Sequence, residues 1–105
     1  MIAIIDYNAG NISSVQNALK RLGYESVITR DKDEILRADK VILPGVGEAS
    51  TAMKYLKKYE LDTFIKDIRQ PFLGICLGMQ LMCISSEEGK TDCLGIFNAK
   101  VKLFP

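Results

Sequence analysis

At 105 residues the chain has the length of one small domain, and with 48% apolar and 26% charged residues it has a globular balance rather than that of a disordered tail. Its formal net charge is +1, with Lys and Arg interspersed among Asp and Glu, so no basic stripe offers a footprint for nucleic acid. No apolar run approaches the roughly 18 residues of a membrane span; MIAIIDYNAG turns polar too soon for a secretory leader, and the odd cysteine count without histidine argues against a metal site or disulfide framework, so the expected address is the cytoplasm.

Residues 2–5, IAII, read as a first strand. NISSVQNALKRLG follows as a helix with Ile12, Val15, Leu19 and Leu22 along one face, Asn11 as N-cap, Lys20 and Arg21 near the negative end of its dipole, and Gly23 as the stop. YESVIT (24–29) reads as a second strand, and DKDEILRA as a short helix opened by Asp31, with Glu34 closing a capping box three positions on. KVIL (40–43) is a third strand, PGVGEAS a turn, and ASTAMKYLKK and LDTFIKDIR two helices, the second with Leu61, Phe64, Ile65 and Ile68 at helical spacing. Pro71 ends that helix. PFLGIC makes a fourth strand that runs into GICLGMQLMCI, a turn followed by a helix; SSEEGKTD is a polar loop and LGIFNAKVKLFP a further strand or hairpin.

Strands alternating with amphipathic helices predict a parallel sheet covered by helices. Ligands of such sheets sit at the carboxyl ends of the strands. DYNAGN, PGVG and GICLG all fall there.

Gly74-x-Cys76-x-Gly78 at a strand-to-helix junction has the form of a nucleophile elbow, with cysteine in place of serine. A nucleophile at the tip of such a turn takes strained dihedrals, and neighbours without Cβ let strand and helix approach while the sulfur stays exposed. The amide of Leu77 points to where an oxyanion forms when the sulfur attacks a carbonyl, and Gly45 and Gly47 let a second amide, that of Val46, turn toward the substrate. The bland alternative for Cys76 is a small buried hydrophobe. For Cys83 the core reading is preferred, and Cys93 lies in a polar stretch without a partner motif.

Through GICLGMQ, IAIIDYNAGNISSV, PGVG and EEGKTDCLGIFNAKVKLFP, the chain resembles the class I glutamine amidotransferases along essentially its whole length, and among them the glutaminase subunits of imidazole glycerol phosphate synthases in histidine biosynthesis. The resemblance implies a three-layer, doubly wound, mostly parallel α/β sheet with helices on both faces, flavodoxin-like and truncated. It implies that Cys76 attacks the side-chain amide of glutamine, that Val46 and Leu77 hold the oxyanion, and that Gln80, with Gly45 and Gly47 beside it, binds the substrate. Asn8 and Asn11 match loop positions facing a (β/α)8 synthase (cyclase) subunit, the heterodimer partner that uses the ammonia. No cofactor or metal is implied.

The family's Cys-His-Glu triad draws its base and orienting acid from a C-terminal half, in chains roughly twice this length. This chain has no histidine. Residues 1–105 are therefore expected to be the N-terminal portion of a single amidotransferase domain; a split enzyme and a degenerate homologue with a binding role are the alternatives. A flavodoxin-like binding or interaction module without chemistry is the competing function, but it gives no reason for glycine on both sides of Cys76.

Overall fold

The computed structural model describes residues 1–7, 12–45, 47–83, 85–86, 91–96 and 100–101. In chain order the elements are β1 (Ile2–Ile5), α1 (Ile12–Arg21), β2 (Ser26–Thr29), α2 (Lys32–Arg37), β3 (Lys40–Leu43), α3 (Ala49–Lys58), α4 (Leu61–Lys66), β4 (Phe72–Gly74), α5 (Leu77–Leu81), β5 (Ser85–Ser86), β6 (Thr91–Asp92) and β7 (Lys100–Val101).

Four strands form a parallel sheet in the order β2-β1-β3-β4. β1 is central, with Ile4 opposite Ile28 on one side and Ile42 on the other. A parallel strand covered on both faces loses the polar alternation of a half-exposed one, which is why IAII is apolar throughout. Ala3, Ile5, Val41 and Leu43 form one cluster with Ile35 of α2, Ala52, Met53 and Leu56 of α3, Leu61 and Ile65 of α4, and Leu77 and Leu81 of α5. The other face carries α1, whose Leu19 lines an open apolar trough of about 310 Å³ with Ile2, Tyr24, Ile42 and Leu73. No residue of α1 is fully buried, and Leu73 on the edge strand β4 is 56% exposed.

Helix ends follow local chemistry. Gly23 takes φ +88 and the Tyr24 amide donates to the Leu19 carbonyl at 2.9 Å, a left-handed stop. That closure absorbs Tyr24, so the second strand begins at Ser26 rather than at residue 24, and Leu22 lies past the helix, exposed. Asp31 caps α2, accepting from the amides of Asp33 and Glu34 at 2.9 and 3.3 Å. The opposite end of α2 is closed from a distance, because Gln70 Nε2 donates to the carbonyls of Ile35 at 2.9 Å and Ala38 at 3.1 Å.

Three other expectations shift. The helix expected over 61–69 ends at Lys66, where the Asp67 and Ile68 amides tighten onto Phe64 and Ile65. The helix expected after the cysteine turn is only five residues long, since the Met82 and Cys83 amides turn to i−3 carbonyls. The polar stretch expected as a loop holds β5 and β6, paired antiparallel as Ser85 with Asp92 and Ser86 with Thr91; β7 joins β5 in parallel. Two-residue strands of Ser, Thr and Asp owe their existence to pairing rather than propensity.

Gln70, in the connection before β4, binds the last turn of α2 and the residue that follows it. Gln70→Met, which keeps the length and removes the donor, is expected to cost about 1 kcal/mol. Urea unfolding should show a lower midpoint at unchanged slope; an unchanged midpoint would mean that these carbonyls need no side-chain donor.

Candidate active site

Described parts of the three carboxyl-end segments named from sequence, Tyr7, Pro44 with Gly45, and residues 74–78, meet where the last residues of β3 face the turn between β4 and α5. The Ile75 amide extends the β3–β4 pairing by donating to the Leu43 carbonyl at 3.0 Å, and the Leu77 amide donates to the Gly45 carbonyl at 3.2 Å. Cys76 sits between these two bonds, exposed, at φ 52 and ψ −115. A side chain at positive φ outside the left-handed helical well costs about 1–3 kcal/mol, so the surrounding contacts must impose the bend.

Those contacts are steric. A Cβ at Gly78 would collide with the Leu43 carbonyl group, its carbon 2.8 Å away, and would lie 3.2 Å from the Pro44 oxygen. At Gly74 it would meet the backbone of Met79 at 2.8 Å. The glycines flanking the cysteine thus let the first turn of α5 press against β3 on one side and fold back over β4 on the other. Between these two close approaches the chain passes through the strained conformation at Cys76.

The glycine turn is matched to this arrangement. Gly45 is buried, and a Cβ there would lie 3.0 Å from Leu77 Cβ and 3.1 Å from the Gly78 nitrogen, and would overlap the Tyr7 hydroxyl. Gly47 takes φ +103 in open space, so its glycine answers to the backbone rather than to crowding. Val46, Asn8 and Asn11, named as candidates from sequence, lie outside the described residues.

Gln80 follows Cys76 by one helical turn, its amide donating to the Cys76 carbonyl at 3.3 Å. The side chain is half-buried, and its Oε1 is buried without a hydrogen-bond partner among the described residues. A buried amide oxygen left unpaired is uncommon and points to an uncompensated acceptor beside the bend.

The other two thiols are placed differently. Cys83 is half-buried past the end of α5, with Sγ 3.8 Å from the Met79 carbonyl. Burial pushes the Cys93 thiol up from its ordinary value, and the nearby charges of Cys83 and Asp92 add to this. No group of three or more His, Cys, Asp or Glu side chains with the geometry to hold a metal occurs among the described residues.

Tyr7 was not singled out from sequence. It lies two residues beyond β1, is 1% exposed, and its hydroxyl donates to the Pro44 carbonyl. Its only sequence signal was membership of DYNAGN; nothing in that string announces a contact with a residue 37 positions away.

Comparison with known proteins gives a consistent result. The family model for glutamine amidotransferase class-I matches residues 3–102. The imidazole glycerol phosphate synthase subunit HisH of Bacteroides fragilis (strain YCH46) is 66% identical over 103 residues, which are 98% of this chain and 53% of that protein. The proteins of the same name from Bacteroides thetaiotaomicron and Yersinia pestis are 63% and 52% identical, with 53% and 52% of their lengths covered by 98% and 96% of this chain. The chain therefore spans about half the length of the curated relatives it matches. A crystal structure of a glutamine amidotransferase superposes with TM-score 0.79 at 23% identity, over 97% of this chain and 56% of that one, which establishes the likeness of fold.

Because the bend strains residue 76 itself, substitutions there should separate strain from chemistry. Cys76→Gly relaxes the backbone whereas Cys76→Ala keeps it strained, so the glycine variant should be the more stable by about 1 kcal/mol despite its more flexible unfolded chain. Chemical denaturation of the pair checks this, and an alanine variant as stable as the glycine one would show that the bend is relaxed.

Proposed function

We propose a glutaminase function for this chain, which belongs to the class-I glutamine amidotransferase family. The reading goes further: residues 1–105 form the N-terminal portion of a single amidotransferase domain, the nucleophile-bearing part of the glutaminase subunit of imidazole glycerol phosphate synthase. Its identity of 63–66% to Bacteroides proteins of that name, over about half their length, supports this.

In the proposed reaction the Cys76 thiolate attacks the side-chain carbonyl carbon of glutamine, forming the carbon–sulfur bond as the carbonyl electron pair moves onto oxygen. The amides of Leu77 and Val46 hold that oxyanion. To do so, Leu77 exchanges its bond to the Gly45 carbonyl for one to the substrate. The carbon–nitrogen bond breaks as nitrogen takes a proton, ammonia leaves, and water then cleaves the thioester to glutamate and free thiol. Gln80, through its unpaired Oε1, and the backbone at Gly45 and Gly47 bind the glutamine. Water is the only co-reactant, so no cofactor is required.

The proton transfers need a base within reach of sulfur and leaving group. The chain has no histidine, so the family's imidazole is supplied by residues other than these 105. The ammonia passes to a synthase (cyclase) subunit of the (β/α)8 type, with Asn8 and Asn11 at the interface. No helix among the described residues is long and apolar enough to cross a membrane, in keeping with a cytoplasmic enzyme.

The single observation carrying this reading is the exposed thiol at a positive-φ bend between two glycines that cannot be replaced without collision. A diazoketone analogue of glutamine should alkylate Cys76 about tenfold or more faster than Cys83 or Cys93, resolved by peptide mass spectrometry. Equal labelling of the three would sink the assignment. Separately, glutamate release from glutamine by the 105-residue chain alone should be feeble; robust turnover would show that no outside base is needed.

A further inference from the structure

We infer that Tyr7 is a positioning residue for the nucleophile bend: its phenol, by holding the Pro44 carbonyl, anchors to β1 the glycine turn against which Cys76 is set.

Three consecutive carbonyls carry the inference. Leu43 accepts from the Ile75 amide at 3.0 Å, Pro44 from the Tyr7 hydroxyl, and Gly45 from the Leu77 amide at 3.2 Å. The outer two bind the segment that carries Cys76. The middle one, whose oxygen lies 3.2 Å from where a Cβ at Gly78 would stand, is held by a side chain that follows β1, an interior strand of the sheet. The peptide between Pro44 and Gly45 is planar, so fixing its oxygen fixes the orientation of the whole unit. The carbonyl that receives the Leu77 amide is the next along the chain.

A phenylalanine would fill the same core volume, so packing alone does not call for the hydroxyl. Burying a hydroxyl is costly unless it is bonded. Here donor and acceptor are both buried and satisfy one another. Burial also pushes the phenol far up from its ordinary value, so it remains a neutral donor throughout the range in which a thiol enzyme works. Residue 45 is fitted to the same contact, because a side chain there would strike the Tyr7 hydroxyl. Tyr7 and Gly45 are in this sense one device.

The effect on the turn stands independently of any activity, whereas its effect on chemistry rests on the glutaminase reading. Two measurements on the 105-residue chain separate them. In native-state hydrogen exchange, Tyr7→Phe should raise the rate at the Leu77 amide about tenfold relative to the Asp6 amide, which donates to Thr29 at 2.9 Å outside the turn. A general loss of stability would speed both amides alike, and an unchanged ratio overturns the inference. In labelling, Tyr7→Phe should slow alkylation of Cys76 by the diazoketone analogue of glutamine about tenfold while leaving iodoacetamide, which needs only an exposed sulfur, unaffected. Equal slowing of both reagents, or of neither, counts against positioning. If wild-type Cys76 ignores the diazoketone, the glutaminase reading falls and the exchange ratio alone decides the role of Tyr7. Should Tyr7→Phe not fold, 4-fluorophenylalanine at position 7, which fills the volume of the hydroxyl without donating, carries the same expectation for the exchange ratio, and an unchanged ratio overturns the inference.

Discussion

The arrangement at the sheet's carboxyl edge depends on one contact, the approach of the Gly78 backbone to the carbonyl of Leu43. There is no space between them for a methyl group. This closeness lets α5 begin directly against β3, and with Gly74 lying under Met79 it forces the intervening residue into positive φ. The exposure of Cys76 follows from backbone crowding on either side of it, not from any preference of cysteine. The strain there is a sizeable share of the roughly 5–15 kcal/mol that typically separates folded from unfolded domains, so neighbouring contacts must be firm enough to hold it.

Firmness comes from ties between elements far apart in sequence. Tyr7 connects the end of β1 to the glycine turn across 37 residues, and Gln70 closes the end of α2 across 35. Each uses a side-chain donor: Tyr7 serves the Pro44 carbonyl in the turn after β3, and Gln70 serves carbonyls in the last turn of α2, where Ile35 also accepts from the Ala38 amide, and just beyond it. The hydrophobic cluster beneath, from Ala3 and Val41 to Leu56 and Leu81, supplies adhesion without direction. The hydrogen bonds add the geometry that burial alone cannot specify.

How far the sequence discloses this structure depends on whether the relevant forces are local and whether residue type announces them. The alternation of IAII, SVIT and KVIL with amphipathic stretches, the cap at Asp31 and the stop at Gly23 are written in adjacent residues, and all are present. So is the bend at Cys76, because a cysteine with glycine two residues away on either side, where a strand hands over to a helix, already contains the two small neighbours that the crowding demands. The early ends of α4 and α5, where amides turn to i−3 carbonyls, and the pairing of Ser85 and Ser86 with Thr91 and Asp92 are made by near neighbours, but the residue types there do not announce them. Apolar spacing is the same for an i−3 as for an i−4 bond, and Ser, Thr and Asp favour turns over strands. Tyr7 is hidden for another reason: an aromatic residue after a strand suggests core, and only the fold brings its hydroxyl to Pro44. The site was legible where it uses backbone strain and obscure where it uses remote hydrogen bonds.

The strand order β2-β1-β3-β4 also bears on how the molecule comes into being. On a ribosome, residues emerge from the amino end, and here each later strand has only to dock beside one already made: β3 on the open side of β1, then β4 outside β3. The nucleophile's segment lies at the edge of this four-stranded sheet, tied to the carbonyls of Leu43 and Gly45. Those acceptors precede the thiol in the chain, so the bend can be imposed only where β3 and the turn after it are already made.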